Sequence, residues 1–314
     1  MALAPLRDLA YGSTSNAMRI ALRHQPPEGF LDRTDRPRTD GGVWHPAPGA
    51  PDCPHCAAAR PSTPGSGFDW SFLDAAYCIS LRDRADRATV TAAEFHRIGL
   101  CARTTFLRLE KDPVSVRVGI WQSHRRVAEH ALGRGGATVL ICEDDLKFSR
   151  RTGPHAVRAV GEALRALPRD WMVLYLGHWP LWAYFVRPNV LRCGSACCHA
   201  YIASERMLRW LRDTPPDSVP IARIAGRGVD AAFARLPATY AIFPMLAIQR
   251  PGRSDNMGLA NGRRKKKVKH LITRSRHRER LFSSLMRPNE ILIALLSPLF
   301  FLLHRWRRAS VPQG

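Results

Sequence analysis

The chain has 314 residues, enough for one large domain or two modest ones, and carries a formal net charge of +22 from 48 Lys and Arg against 26 Asp and Glu. The excess is uneven: residues 1–67 hold 7 basic and 6 acidic side chains, whereas residues 261–314 hold 14 and 2, a tail that calls for an anionic membrane surface or a nucleic acid as partner. Its 8 cysteines show no regular framework and several fall in expected core strands, which fits reduced thiols in the cytoplasm better than a disulfide scaffold.

Residues 1–67 read as a poorly ordered extension, because Pro, Gly, Asp and Arg dominate from Gln25 to Gly67. Met1 to Asp8 lack the unbroken apolar core of a signal peptide. Cys53 and Cys56, with His45 upstream, make half a zinc site, but no second pair completes it, so a stray pair is the expectation. Order is expected from Phe68. Ala75 to Leu81 is a compact apolar run and a first strand, followed by Arg82, Arg84 and Arg87 and by a helix that Gly99 stops. Arginines between a strand and a helix can serve a nucleotide phosphate, but taken alone they read first as a solvated charged turn. Ser123 is expected to cap a helix bearing Val127, Ala131 and Leu132, with His124 in its first turn as a hydrogen-bonding or ligand-contacting residue.

The stretch from Ala137 to Phe148 organises the rest. Val139, Leu140, Ile141 and Cys142 form a continuous apolar run, the habit of a strand buried on both faces, and it enters Glu143, Asp144 and Asp145 directly. Three adjacent carboxylates repel one another, and a divalent cation with a taste for hard oxygen ligands, Mn²⁺ or Mg²⁺, removes that cost. An acidic strand-to-loop turn facing solvent is the competing reading. Pro154 then suits the first turn of a helix with Val157, Val160 and Leu164 on its core face. Trp171 to Leu176 is a buried strand ending at Gly177 and His178, and Ala200 to Ala203 is a short strand before a helix capped by Ser204. Asp230 stands before a helical turn as its cap, and Thr239 to Leu246 is the last strand. Alternating strands and helices indicate an α/β domain with a mostly parallel sheet over residues 68–260.

Residues 261–314 form a basic and apolar tail. Ile291 to Leu303 is an apolar run of 13 residues broken by Pro298, short of the roughly 20 that span a bilayer, and is expected as a helix lying in the cytoplasmic interface of the cell membrane beside the basic run. Because no aromatic residues interleave with the basic run from Arg263 to Lys269, this tail argues against nucleic acid.

Several of these blocks, in this order, resemble glycosyltransferase family 25, the lipooligosaccharide and collagen galactosyltransferase group. They are Ile79 to Arg84 with Arg87, Gly119 to Ser123 and His124, Leu140 to Phe148, and Asp170 to Gly177, extended by Ala200 to Ser204, Asp230, Pro244 to Gln249 and Asp255. The chain departs from the family pattern at Ser80, where asparagine is usual, at Met172, where aspartate is frequent, and between Gly177 and Cys193. The resemblance implies a GT-A-like fold with a Rossmann-like nucleotide-binding half and a nucleotide-sugar donor such as UDP-galactose. Its acceptor would be a lipid-linked or other cell-surface glycan, as in lipopolysaccharide biosynthesis. In that reading Glu143 and Asp145 hold the metal, Asp144 supports them, and Arg82, Arg87, Ser123 and His124 contact the donor. Inversion at the anomeric carbon then requires a base, for which Asp230 and His178 are available. Two alternatives follow from the same residues: a catalytically inactive, membrane-attached module that binds the sugar nucleotide, and a nucleic-acid-binding or metal-dependent nuclease.

Overall fold

The computed structural model describes residues 43–46, 67–113, 115–195, 198–215, 228–250 and 291–303. Contacts divide the chain into Met1–Thr39 and Asp40–Gly314, and all described residues belong to the second unit. Cys53, Cys56, Asp255 and the basic run 263–280 lie outside the described residues.

The elements follow the apolar pattern closely. They are β1 (Val43–Pro46), β2 (Ala75–Leu81), α1 (Ala85–Arg97), β3 (Thr104–Leu109), α2 (Val116–Gly133), β4 (Thr138–Glu143), β5 (Leu146–Phe148), α3 (Pro154–Ala166) and β6 (Val173–Gly177). After them come β7 (Pro180–Arg187), β8 (Val190–Ser195), β9 (Ala200–Ser204), α4 (Glu205–Asp213), α5 (Gly228–Phe233), β10 (Thr239–Ile242), β11 (Ala247–Gln249) and a helix α6 over 291–303.

Nine strands make one sheet in the order β1-β3-β2-β4-β9-β6-β10-β8-β7, while β5 and β11 pair separately. β3, β2, β4, β6, β10 and β7 run one way, and β1, β9 and β8 oppose them, so the sheet is mixed but mostly parallel. β9 is inserted antiparallel between β4 and β6, and every residue of β6 and β9 is buried. That burial on both faces explains why these strands read as unbroken apolar runs rather than alternating ones.

The first crossover carries the chain from β2 through α1 to β3, and the second from β3 through α2 past β2 to β4. Because parallel crossovers are right-handed, these opposite directions of travel put α1 and α2 on opposite faces. The connections therefore diverge at β2, and a crevice opens beyond the carboxyl ends of β2 and β4, the place where open α/β sheets bind ligands. α1 seats Phe95 against Phe106 and Phe148, with ring centroids 6.0 Å apart in each pair. α2 packs on α4 and α5, where Trp121 meets Trp210 edge-on at 5.5 Å.

Local expectations need several corrections. α2 begins at Val116, two turns before Ser123, because the hydroxyl of Ser115 accepts from the Val118 amide at 3.4 Å and caps it. Ser123 is therefore a mid-helix residue whose hydroxyl donates to the Gly119 carbonyl at 2.7 Å, and His124 stands in the third turn rather than the first. Asp230 lies inside α5 and is not its cap. The last strand stops at Ile242, where Pro244 cannot supply a ladder amide, and resumes as β11. The stretch 104–109 was not expected as a strand, and residues 43–46, inside the region expected to lack structure, pair antiparallel with it. The unassigned segment between Gly177 and Cys193 is largely the β7–β8 hairpin.

Candidate active site

The crevice is lined by Ile79, Ser80 and Leu81 at the end of β2, Glu110 to Asp112 after β3, one face of α2 from Val116 to His124, the acidic triplet, Arg87 and Gln249. Its floor is the triplet itself. β4 stays in register with β2 as far as Glu143, so the three carboxylates emerge where parallel pairing ends.

Each carboxylate has a different environment. Asp144 is buried and held: Ser80 donates to its Oδ2 at 2.8 Å, Arg87 reaches Oδ1 at 3.2 Å, and Thr91 donates to its carbonyl at 2.6 Å. Burial pushes its pKa up against those contacts. Asp145 receives Gln249 on Oδ2 at 3.0 Å and has Arg87 at 3.7 Å, whereas its Oδ1 is buried without a hydrogen-bond partner among the described residues. Burial, and then the charge of Glu143, raise the Asp145 carboxyl to about 7. Glu143 is the most open of the three. Burial alone would raise it, but the histidines at 124 and 199 and Arg87 outweigh that and hold it below the ordinary range. Its Oε1 lies 3.9 Å from His124 Nε2, longer than a hydrogen bond.

A second polar group adjoins the triplet, its histidines and Tyr201 buried and Asp230 partly so. His124 stacks on Tyr201, with its Nδ1 2.8 Å from the phenolic oxygen. The Glu143 amide donates to the His199 carbonyl at 3.0 Å, and the His199 Nε2 faces the Ala247 carbonyl at 3.4 Å. Burial lowers the His199 pKa, and lowers that of His178 to about 4. Asp230, bonded to Cys198, is raised by burial and then by Glu143 to about 7.

The residues singled out from sequence are thus distributed unevenly. Glu143, Asp144, Asp145, Arg87, Ser123 and His124 all line the crevice. Arg82 does not; it is exposed and pairs with Glu110 at 3.3 Å. Neither Asp230 nor His178 reaches the lining, and His178 is almost wholly buried at the end of β6. Sequence reading missed Gln249, Thr91 and Tyr201 as partners of the site. Gln249 comes from β11, 104 residues beyond Asp145, and only the β5–β11 pairing brings it there.

Among the described residues no group of three or more His, Cys, Asp and Glu side chains is gathered to hold a metal ion unaided. The donor set nevertheless suits a cation that shares its ligands with a phosphate. Mg²⁺ and Mn²⁺ are met by one or two carboxylates plus substrate oxygens, and the unpartnered Oδ1 of Asp145 is a hard donor with no other bond to satisfy it among the described residues.

Neither the models of known protein families nor the curated proteins match this chain. Among solved structures it is similar to a glycosyltransferase involved in glycosylation of the major capsid of PBCV-1. The identity is 9% and the TM-score 0.33, over 57% of this chain and 94% of that one. It is also similar to mannose-1-phosphate geranyltransferase from Thermus thermophilus. Here the identity is 13% and the TM-score 0.30, over 55% of this chain and 60% of that one. Among the described residues no helix is long and apolar enough to cross a membrane.

Proposed function

We propose that this protein is a metal-assisted glycosyltransferase of GT-A-like fold. It would move a sugar, with galactose the first to test, from a nucleotide-sugar donor to a lipid-linked or other glycan acceptor. One observation carries the reading. The crevice at the β2/β4 divergence presents three carboxylates in graded states, one of them with a buried, unpartnered oxygen, beside the Arg87 guanidinium. A nucleoside diphosphate leaving group needs positive charge where its own negative charge develops, and a site of this composition can gather it.

Glu143 and Asp145 would hold Mn²⁺ or Mg²⁺, which when bound neutralises the departing diphosphate. Asp144 is committed to Ser80, Thr91 and Arg87, so it positions the turn rather than offering a free ligand. Arg87, fixed against Asp144 and Asp145, stands where it can also meet a phosphate oxygen. Ser123 and His124 form the α2 wall; the His124 ring is fixed by Tyr201, which leaves Nε2 directed toward Glu143. For the base that inversion would need, Asp230 fits better than His178. A carboxyl near 7 is half ionised at neutral pH and retains basicity, whereas a histidine near 4 is a weak base. Asp230 is not part of the crevice lining, so this role requires the acceptor site to extend from the crevice to α5.

A second reading is favoured by one contact. Arg87 already places positive charge on Asp144 and Asp145, which is what a cation would supply, and this suits a module that binds the sugar nucleotide without turning it over. Purified protein incubated with Mn²⁺ and a panel of nucleotide sugars separates the two. Release of nucleoside diphosphate from at least one donor, abolished by EDTA, is expected. Binding by calorimetry with no release from any donor would establish the inactive module, and full release in excess EDTA would refute the metal assignment.

A further inference from the structure

α6 is apolar on all sides, yet the structure uses only one of them. Ile293 and Ser297 are buried, and the Ser297 hydroxyl accepts the Phe185 amide of β7 at 2.8 Å. One turn further on, Phe301 meets Tyr184 of the same strand edge-on, with centroids 5.8 Å apart. β7 is the last strand of the sheet, so the helix caps an edge amide that would otherwise be unpaired. The opposite side of α6 carries Leu292, Leu295, Leu299 and Leu302 at helical spacing, 52%, 72%, 53% and 61% exposed. At either end of the contacted stretch of β7, Trp179, Leu181 and Val186 are exposed as well.

A leucine stripe of this kind on a helix fixed to a folded domain needs an occupant. Charge decides which one. The sequence on both sides of α6 is basic, with Arg263, Arg264, Lys265, Lys266, Lys267 and Lys269 before it and Arg305, Arg307 and Arg308 after it. A second copy of the chain would bring the same positive charge to the interface and repel. An anionic bilayer surface brings the opposite charge together with an apolar layer. Thirteen residues of helix extend about 20 Å, too short to cross the roughly 30 Å hydrocarbon core and suited to lying in its surface.

We infer that α6 and the β7 edge together form one rigid lipid-facing surface, so that the domain sits on an anionic membrane in a fixed orientation rather than hanging from a loose tail. This stands independently of the glycosyltransferase reading. β7 lies five strand positions from β4, about 24 Å across the sheet, so changes on the stripe leave the crevice untouched.

Sedimentation of the full chain with vesicles tests it, with no donor or metal present. Phosphatidylcholine vesicles containing phosphatidylglycerol should bind the protein at least tenfold more strongly than phosphatidylcholine alone, and high salt should release only part of it. Leu295→Asp combined with Leu299→Asp should lower that binding at least tenfold with no fall in melting temperature, since both side chains are already in solvent. Ser297→Ala should leave vesicle binding in place but increase hydrogen exchange at the Phe185 amide, which separates docking from lipid contact. Absence of binding to anionic vesicles, or binding that the double substitution does not alter, overturns the inference. So does a lipid-free dimer, seen by sedimentation velocity, that the same substitution dissociates.

Discussion

Replacing Arg87 by methionine removes the guanidinium from the acidic triplet while keeping most of the aliphatic stem that packs around it. The guanidinium lies 3.2 Å from Asp144 and 3.7 Å from Asp145, and the three side chains are only 16%, 9% and 15% exposed. At an effective dielectric of about 20 each contact represents roughly 4–5 kcal/mol of gross attraction. Desolvation offsets much of this, so stripping one partner from such a pair costs about 3–5 kcal/mol net when the remaining charges cannot escape. Here they can escape by protonation, and Asp145 is poised for it, its carboxyl already raised to about 7. Losing Arg87 raises both carboxyls further. A carboxyl with a raised folded pKa gives stability that is present at low pH and is lost as pH rises through that pKa. Arg87→Met should therefore lower the unfolding free energy by about 1–2 kcal/mol at pH 6, where protonation costs little, and by about 3 kcal/mol at pH 8.5. At the higher pH that corresponds to a fall of roughly 6–12 °C in melting temperature. Urea titrations and thermal scans at the two pH values measure the difference. Saturating Mn²⁺ at pH 8.5 should restore about 2–3 kcal/mol by occupying the same carboxylates. An equal loss at both pH values, or a larger one at pH 6, would show that Arg87 acts through packing and not as the counter-charge of the triplet.

Asp145→Asn should reduce donor turnover at least ~100-fold with a melting temperature within a few degrees of wild type, because it alters a ligand and not a packing residue; wild-type turnover in that variant removes Asp145 from the metal set. Gly177→Ala places a Cβ on His199 Nε2 and the Ala247 carbonyl and should cost about 2–3 kcal/mol in urea unfolding, whereas Gly133→Ala, with nothing within 4 Å, should be neutral or slightly stabilising. With Asp230 raised to about 7, the native state holds a proton that the unfolded chain releases near 4, so this residue makes stability decline between those values by on the order of 4 kcal/mol. Asp230→Asn should flatten that part of the stability–pH curve, and an unchanged slope would mean that Asp230 is not buried as a neutral acid.

Much of this architecture was legible in the residues because local patterning and burial agree. β6 and β9 are buried at every residue and β2 and β4 through their middles, so each appears as an unbroken apolar run, and Gly99, Pro154 and Ser204 mark the ends of elements by local chemistry alone. The triplet stood out as a candidate site because three adjacent carboxylates after such a run call for a counter-charge. The weaker signals failed where a residue type suits two local roles. Ser123 reads as a cap for the apolar helix, but the helix starts two turns earlier, where the Ser115 hydroxyl accepts from Val118, and the Ser123 hydroxyl bonds back to Gly119. What tertiary structure alone decided are the relations across long separations. Gln249 reaches Asp145, Tyr201 orients His124, and Asp230 feels the charge of Glu143 through a shared interior. These depend on β9 entering the sheet antiparallel between β4 and β6 and on β11 folding back onto β5. The apolar run at 291–303 likewise states its own composition, but the contacts of Ser297 and Phe301 with β7 fix which side packs on the sheet and which leaves Leu292, Leu295, Leu299 and Leu302 facing outward.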